Sequence, residues 1–187
     1  MAITLPNLLS ASRLCLAPVL LLFAWIGEST AVLFLLGVSM LTDFADGYVA
    51  RRRDQVSELG GRLDSWGDLA TYLVAPICAW WLWPEVILRD PASVLVVVVS
   101  YTATTAIGFL RYGRLKSFHT WSGKLSAGLL TVGVVSLWAG LPVWPLRVAA
   151  AVVVISDLEE IAMMAALPRW KPNVPSLWHA LRTRGSE

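Results

Sequence analysis

"TDFADGYVARRRDQVSELGGRLDSWGDL", residues 42–69, gathers four aspartates (Asp43, Asp46, Asp64 and Asp68) beside Arg51, Arg52 and Arg53 and the paired glycines Gly60 and Gly61. The chain around it is strongly apolar. Of 187 residues, 57% are hydrophobic and only 15% charged, against about a quarter charged in an ordinary soluble domain. Mean hydropathy is +0.65. Carboxylates this dense are costly in such surroundings, so the first question is which solvent the flanking segments meet.

The apolar segments on either side of the stretch are each long enough to cross a bilayer, which takes about 17–25 residues. Four more segments repeat the pattern, so that six run over about 8–27, 31–52, 60–83, 92–112, 121–141 and 144–167. Helices of a soluble core carry a polar face, and 92–110 and 144–156 barely have one. The expected fold is therefore all-α, an integral membrane bundle of six transmembrane helices forming one domain over residues 1–167. The remainder, 168–187, mixes bases with Trp and Leu and suits an amphipathic cytoplasmic tail lying on an anionic leaflet.

Six spans put both ends on one side, together with Arg13, Arg51, Arg52, Arg53, Arg62, Arg111, Arg114, Lys116, Lys124, Arg169, Lys171, Arg182 and Arg184. Only Arg89 and Arg147 fall on the other side. The bias predicts cytoplasmic termini in a multi-pass protein of a bacterial-type inner (plasma) membrane. Trp25, Trp80, Trp81, Trp83, Trp138 and Trp144 fall at outer ends and Trp66, Trp121 and Trp170 near inner ones, as interfacial anchors do. No basic leader precedes the first span, which reads as retained rather than as a cleaved signal. Cys15 and Cys78 lie in different spans without CxxC spacing and read as lone core thiols. Net charge of +2, its bases placed by sidedness, points to no nucleic-acid partner.

In this frame the opening stretch is a hairpin with a short polar turn, "RRRDQVSE", on the cytoplasmic side. Asp43, Asp46, Gly47, Ala50 and Arg51 stand at i, i+3, i+4, i+7 and i+8, one helical face. Gly60, Asp64 and Asp68 stand at i, i+4 and i+8, also one face. An antiparallel hairpin can turn the stripes together and bring four carboxylates to one place. Each charge within a span costs at least about 2.5–3.5 kcal/mol, so some must protonate or cations must bind. Oxygen ligands without His or Cys favour Mg²⁺ or Mn²⁺ over zinc, and four carboxylates suit two such ions clamping a phosphoryl group. Gly47, Ala50 and Gly60 leave room for a ligand against the backbone. The plainer reading is a set of interfacial salt bridges to Arg51, Arg52, Arg53 and Arg62, which leaves the register and the glycines unexplained.

Read with gaps, the stretch is Asp43-x2-Asp46-Gly47-x2-Ala50-Arg51-x8-Gly60-x3-Asp64-x3-Asp68. It resembles the complete signature of the CDP-alcohol phosphatidyltransferase family. The opening "LPNLLSASRLCLAP" is similar to the N-terminal segment of the phosphatidylglycerophosphate synthases within it, and the resemblance weakens after about residue 125. It implies transfer of the phosphatidyl group of CDP-diacylglycerol to a small polar alcohol with release of CMP, among membrane lipids, by a homodimer. Carried over by residue, Asp43, Asp46 and Asp64 hold the metals and Asp68 is the general base and a further ligand. Asp43, Gly47, Ala50, Arg51 and Gly60 would line the nucleotide site.

The acceptor is less determined. "RYGRLKSFHTWSGK" places Arg111, Arg114, Lys116 and Lys124 on the side of the acidic hairpin, where they suit an acceptor phosphate or, equally, lipid headgroups; His119 alone indicates little. This basic group and the N-terminus favour glycerol 3-phosphate. "LDSWGDLATYLVAP" looks more like the phosphatidylserine synthases of the same family and keeps serine open, with inositol phosphate a further possibility. Asp157, Glu159 and Glu160 lie within the sixth span, where at least one should face protein or water, with Arg111 or Lys124 as the expected partner. From other classes, a divalent-cation transporter would set its acids near the midplane in related halves, and a non-catalytic lipid-binding protein leaves the carboxylate register unexplained.

Overall fold

The computed structural model describes residues 5–52, 58–113, 115, 120–167 and 174–184, with backbone alone for residues 5, 6, 43, 44, 46–51, 58, 183 and 184. Arg53, Arg114, Lys116, His119, Arg169, Trp170 and Lys171 lie outside the described residues, as do the side chains of Asp43, Asp46, Gly47, Ala50 and Arg51. Among the described residues the secondary structure is helical throughout: α1 (Leu5–Trp25), α2 (Ser29–Arg52), α3 (Glu58–Leu82), α4 (Pro84–Ile87), α5 (Pro91–Tyr112), α6 (Trp121–Trp138), α7 (Trp144–Ala166) and α8 (Leu177–Arg184).

Each of the six expected apolar segments is one long helix, with ends displaced by a few residues. At 18 to 25 residues and about 1.5 Å per residue, they match a hydrocarbon layer of about 30 Å. Two, Asn7–Trp25 and Pro91–Tyr112, are long and apolar enough to cross a membrane by length and composition, and Ser29–Thr42 is apolar but shorter. The others are interrupted by charge or small polar residues: Arg62, Asp64 and Asp68 in α3, Lys124 in α6, and Asp157, Glu159 and Glu160 in α7.

The chain divides into two compact units, Met1–Pro84 and Glu85–Glu187. In the first, α1 packs on α2 and α3. A turn at Gly27, whose φ of 82° suits glycine, folds α2 back so that Leu20, Ala24, Val32, Val74 and Cys78 form an apolar cluster. The opposite half of α1 buries polar groups instead, Asn7, Ser10 and Arg13, and the Ser39 and Thr71 hydroxyls meet at 3.4 Å between α2 and α3. Cys78 is buried as expected, whereas Cys15 is exposed because it lies on the outer flank of α1; both are free thiols.

In the second unit α7 packs against α5, α6 and α8. Val97, Ala150 and Val153 form one apolar cluster, and Met163, Met164, Leu167, Val174 and Ala180 another. Helix α8 thus seats Ala180 on the end of α7 and leaves Trp178 and Leu181 exposed, with Arg182 5.9 Å over the Trp178 ring. At Gly133 the chains approach closely: a Cβ there would lie 2.8 Å from Leu146 Cα, the kind of contact that small residues permit between packed helices.

Beside these apolar clusters, both units expose large apolar side chains and bury polar ones. Leu22, Phe34, Leu41, Leu95, Leu110, Val132 and Ile155 are exposed, while Ser39, Thr104, Thr105, Ser126, Ser156, Asp157 and Glu160 are buried. Water selects the reverse order; an apolar solvent selects this one, because hydroxyls and carboxylates find partners only in the interior. The two bases left over by the sidedness count have local duties. Arg89 donates to the Leu137 carbonyl and, at 2.6 Å, to that of Leu141, where α6 ends. Arg147 pairs with Asp90 at 3.0 Å.

Candidate active site

The backbone of α2 is helical through Asp43, Asp46, Gly47, Ala50 and Arg51, so the periodicity that places them on one stripe holds. Helix α3 begins at Glu58 and carries Gly60, Asp64 and Asp68 at one-turn intervals on its first half. Proximity of the two stripes was expected; within the described side chains, the meeting seen is between α3 and α1.

Arg13, counted from sequence only as one more inside base, is the residue that reading missed. Its side chain is 2% exposed and forks across the α3 stripe, Nη2 to Asp64 Oδ1 at 2.6 Å and Nη1 to Asp68 Oδ1 at 2.7 Å. A fixed planar fork is suited to bridging two carboxylates one helical turn apart. Gly67 makes the approach possible, since a Cβ there would lie 3.2 Å from Arg13 Nε and 3.3 Å from its Cβ and Cζ. The signal was in the sequence: Asn7, Ser10 and Arg13 recur at three-residue spacing in an otherwise apolar helix, a polar stripe that needs a partner.

Asp64 and Asp68 keep 24% and 39% of their side chains exposed. Two partly open carboxylates on one helical face, with oxygen as the only donor, fit a hard divalent cation. Among the described residues no group of three or more His, Cys, Asp and Glu comes together, and the side chains of the other two expected ligands, Asp43 and Asp46, lie outside them. Among the described contacts of Asp64 and Asp68, the ion pairs are to a base from another helix, Arg13.

In the second unit Arg111 lies in the last turn of α5, 5.6 Å over the Tyr112 ring, and Lys124 lies 4.9 Å over that of Trp121. Both are exposed. The segment between them is tied at each end. Gly113, at φ 64°, closes α5 through its N–H to the Phe109 carbonyl, and the Tyr112 hydroxyl lies 2.9 Å from the Met164 and Leu167 carbonyl oxygens. At the other end Thr120 accepts from Gly123 N at 3.0 Å and caps α6, while Trp121 N donates to the Pro175 carbonyl at 3.1 Å.

The acids of α7 face the interior, as expected: Asp157 and Glu160 are buried. Their described contacts differ from the expected Arg111 or Lys124. Asp157 accepts from the Ser100 hydroxyl at 2.6 Å, and Glu159 accepts from the Ser122 hydroxyl and, at 3.0 Å, from Leu177 N. Both bases are exposed and stack on aromatic rings, whereas the hydroxyls already lie in the seam. Ser126 is buried, and Gly123 faces the Ser156 and Glu160 side chains, so both small residues serve contacts within the chain.

The model for the CDP-alcohol phosphatidyltransferase family matches residues 3–168. Among curated relatives, a cardiolipin synthase (CMP-forming) of Streptomyces coelicolor is 34% identical over 114 residues, 52% of this chain and 50% of that protein. A CDP-diacylglycerol–serine O-phosphatidyltransferase of Bacillus subtilis is 49% identical over 47 residues, 25% of this chain and 26% of the relative. A CDP-diacylglycerol–glycerol-3-phosphate 3-phosphatidyltransferase of Aquifex aeolicus is 42% identical over 67 residues, 34% and 35% respectively. The chain thus spans half or less of the length of these relatives. No solved structure matches it. The matched range covers nearly all of the first compact unit, most of the second and the whole Asp43–Asp68 signature, and the chain belongs to the CDP-alcohol phosphatidyltransferase family.

Proposed function

We propose that the protein transfers the phosphatidyl group of CDP-diacylglycerol to a polar alcohol, with glycerol 3-phosphate the leading acceptor, and releases CMP. The observation that carries the reading is the Asp64–Asp68 pair, partly open and fixed on one face of α3 within the family signature. Asp68 takes the proton of the attacking hydroxyl. The alcohol oxygen then bonds to the phosphatidyl phosphorus, the pyrophosphate P–O bond breaks, and its electrons leave with CMP. Asp43, Asp46, Asp64 and Asp68 would hold Mg²⁺ or Mn²⁺, which when bound neutralises charge on the transferring and leaving phosphates. Gly47, Ala50, Arg51 and Gly60 line the nucleotide side, and Arg111, Arg114, Lys116 and Lys124 receive the acceptor phosphate.

On this reading the six long helices span the membrane, both termini and the aspartates lie on the cytoplasmic side, and the enzyme works as a homodimer. The exposed large apolar side chains, the buried polar ones and the excess of bases on one side support it. A second reading follows from the Streptomyces relative, which is named for cardiolipin: the acceptor is then a lipid alcohol, phosphatidylglycerol.

The test is CMP release from CDP-diacylglycerol by the purified protein, with Mg²⁺ or Mn²⁺, across glycerol 3-phosphate, serine, inositol phosphate and phosphatidylglycerol. Release with glycerol 3-phosphate in preference to the others is expected, together with complete loss in excess EDTA. Preference for phosphatidylglycerol selects the second reading. Full turnover in EDTA overturns the metal requirement, and no release with any alcohol overturns the transferase reading.

A further inference from the structure

A guanidinium only 2% exposed inside a long apolar helix is costly unless its charge is matched. Arg13 is matched by the two carboxylates that the proposed reaction requires, one through each terminal nitrogen, both through Oδ1. The arrangement is built rather than incidental. Gly67, one residue before Asp68, is the position where a side chain would press on Arg13 Nε and Cζ. The guanidinium therefore passes close to the α3 backbone at Gly67 and reaches both acids.

We propose that Arg13 is a positioning residue of the metal site, a resident cation that neutralises and aims Asp64 and Asp68 whenever no divalent ion is bound to them. This rests on the metal-dependent reading above. Without a counter-charge, two anions one turn apart on a helix destabilise it, and Coulomb repulsion is strengthened where surroundings are apolar. Arg13 removes that repulsion and fixes the rotamers before the metal arrives. A bound ion supplies the same neutralisation from outside. Arg13 should accordingly matter most to the stability of the metal-free protein and less once metal is present. An ordinary staple between α1 and α3 would contribute equally in both states.

The experiment is the thermal midpoint of the full-length protein in mild detergent, in EDTA and in saturating Mg²⁺ or Mn²⁺, for the wild type, Arg13→Gln, Arg13→Lys and the double variant Asp64→Asn with Asp68→Asn. Binding to the folded state alone raises the midpoint. The wild type should gain on adding metal, and Arg13→Gln should gain more by roughly 4 °C or above, its deficit being concentrated in EDTA. Lysine can neutralise one carboxylate at a time but cannot fork across two, so Arg13→Lys should gain by an intermediate amount. If Arg13→Gln cannot be purified, Arg13→Lys against wild type decides. The double variant should gain nothing. Equal gains in wild type and Arg13 variants would overturn the proposal and leave the metal reading standing. No gain in any of them would overturn the metal reading and this proposal with it.

Discussion

Replacing Asp68 by asparagine separates the proposed role of this side chain as general base from its observed ion pair with Arg13. The change keeps the shape and an oxygen acceptor but removes the charge that holds Arg13 Nη1 at 2.7 Å. A hydrogen bond to a charged group contributes about 1.5–3 kcal/mol, and a neutral one about 0.5–1.5. Since Arg13 keeps Asp64 at 2.6 Å, the fold should lose about 1 kcal/mol, or roughly 2–4 °C in Tm for a chain of this size. Loss of a general base costs about 10²–10⁴-fold in rate, equivalent to about 3–5 kcal/mol at about 1.4 kcal/mol per decade. Chemistry should therefore collapse while the fold stays nearly intact. The assay pairs CMP release with nucleotide affinity and Tm for Asp68→Asn, Asp43→Asn, Asp46→Asn and Asp64→Asn. Asp68→Asn should abolish transfer and spare nucleotide binding; the other three should weaken metal and nucleotide binding together. Equal loss of nucleotide affinity in all four would refute the base assignment and make Asp68 a ligand only.

Gly133→Ala should lower Tm by an amount matching about 1–3 kcal/mol of overpacking, because its Cβ meets Leu146 backbone at 2.8 Å; Gly128→Ala on the same helix, with open space around it, is the control that should not. Burial raises the Asp90 pKa, but hydrogen bonds from Arg147 and Ser93 and the Arg147 charge outweigh it and leave the group below its usual value. Its contribution to stability is thus present above the unfolded value of about 3.9 and lost as pH falls through the folded one, so the Tm advantage of wild type over Asp90→Asn should be constant near neutrality and shrink below about pH 4. Arg111→Ala should raise the KM for glycerol 3-phosphate about ten- to a hundredfold, the value of a charge-assisted contact, with little effect on that for CDP-diacylglycerol; an unchanged acceptor KM removes Arg111 from the acceptor site.

The helices were legible because apolar run length is a direct physical requirement, and the six long ones appear where the runs do. The short α4 was not: Pro84–Ile87 follows an apolar run without periodicity of its own. Arg13 was overlooked because a count of bases by side treats each as a solvated charge, whereas a base in mid-helix has to be asked what it faces. The partners of the α7 acids were misread for a related reason. Opposite charge is the strongest partner in principle, but Ser100 and Ser122 lie on the packed faces, and a hydroxyl in place needs no desolvation of a second ion. The amphipathic character of the tail was legible in composition, but composition left helix and coil open, and the seat of α8 on Met163 and Met164 depends on tertiary packing that composition does not encode.

Exposure distinguishes the acids of this protein more sharply than their number does. Asp90, Asp157 and Glu160 are buried, and among the described contacts Asp157 accepts from a hydroxyl and Glu159 from a hydroxyl and a backbone amide. Asp64 and Asp68 are arranged differently. Their counter-charge comes from below, from a sealed arginine, and their outer surfaces remain partly open. A carboxylate closed on every side can only hold helices together; one neutralised from behind and open in front can also receive a cation or a proton. That difference is why the proposed reaction is placed on Asp64 and Asp68 of α3 rather than on the buried Asp157 and Glu160 of α7.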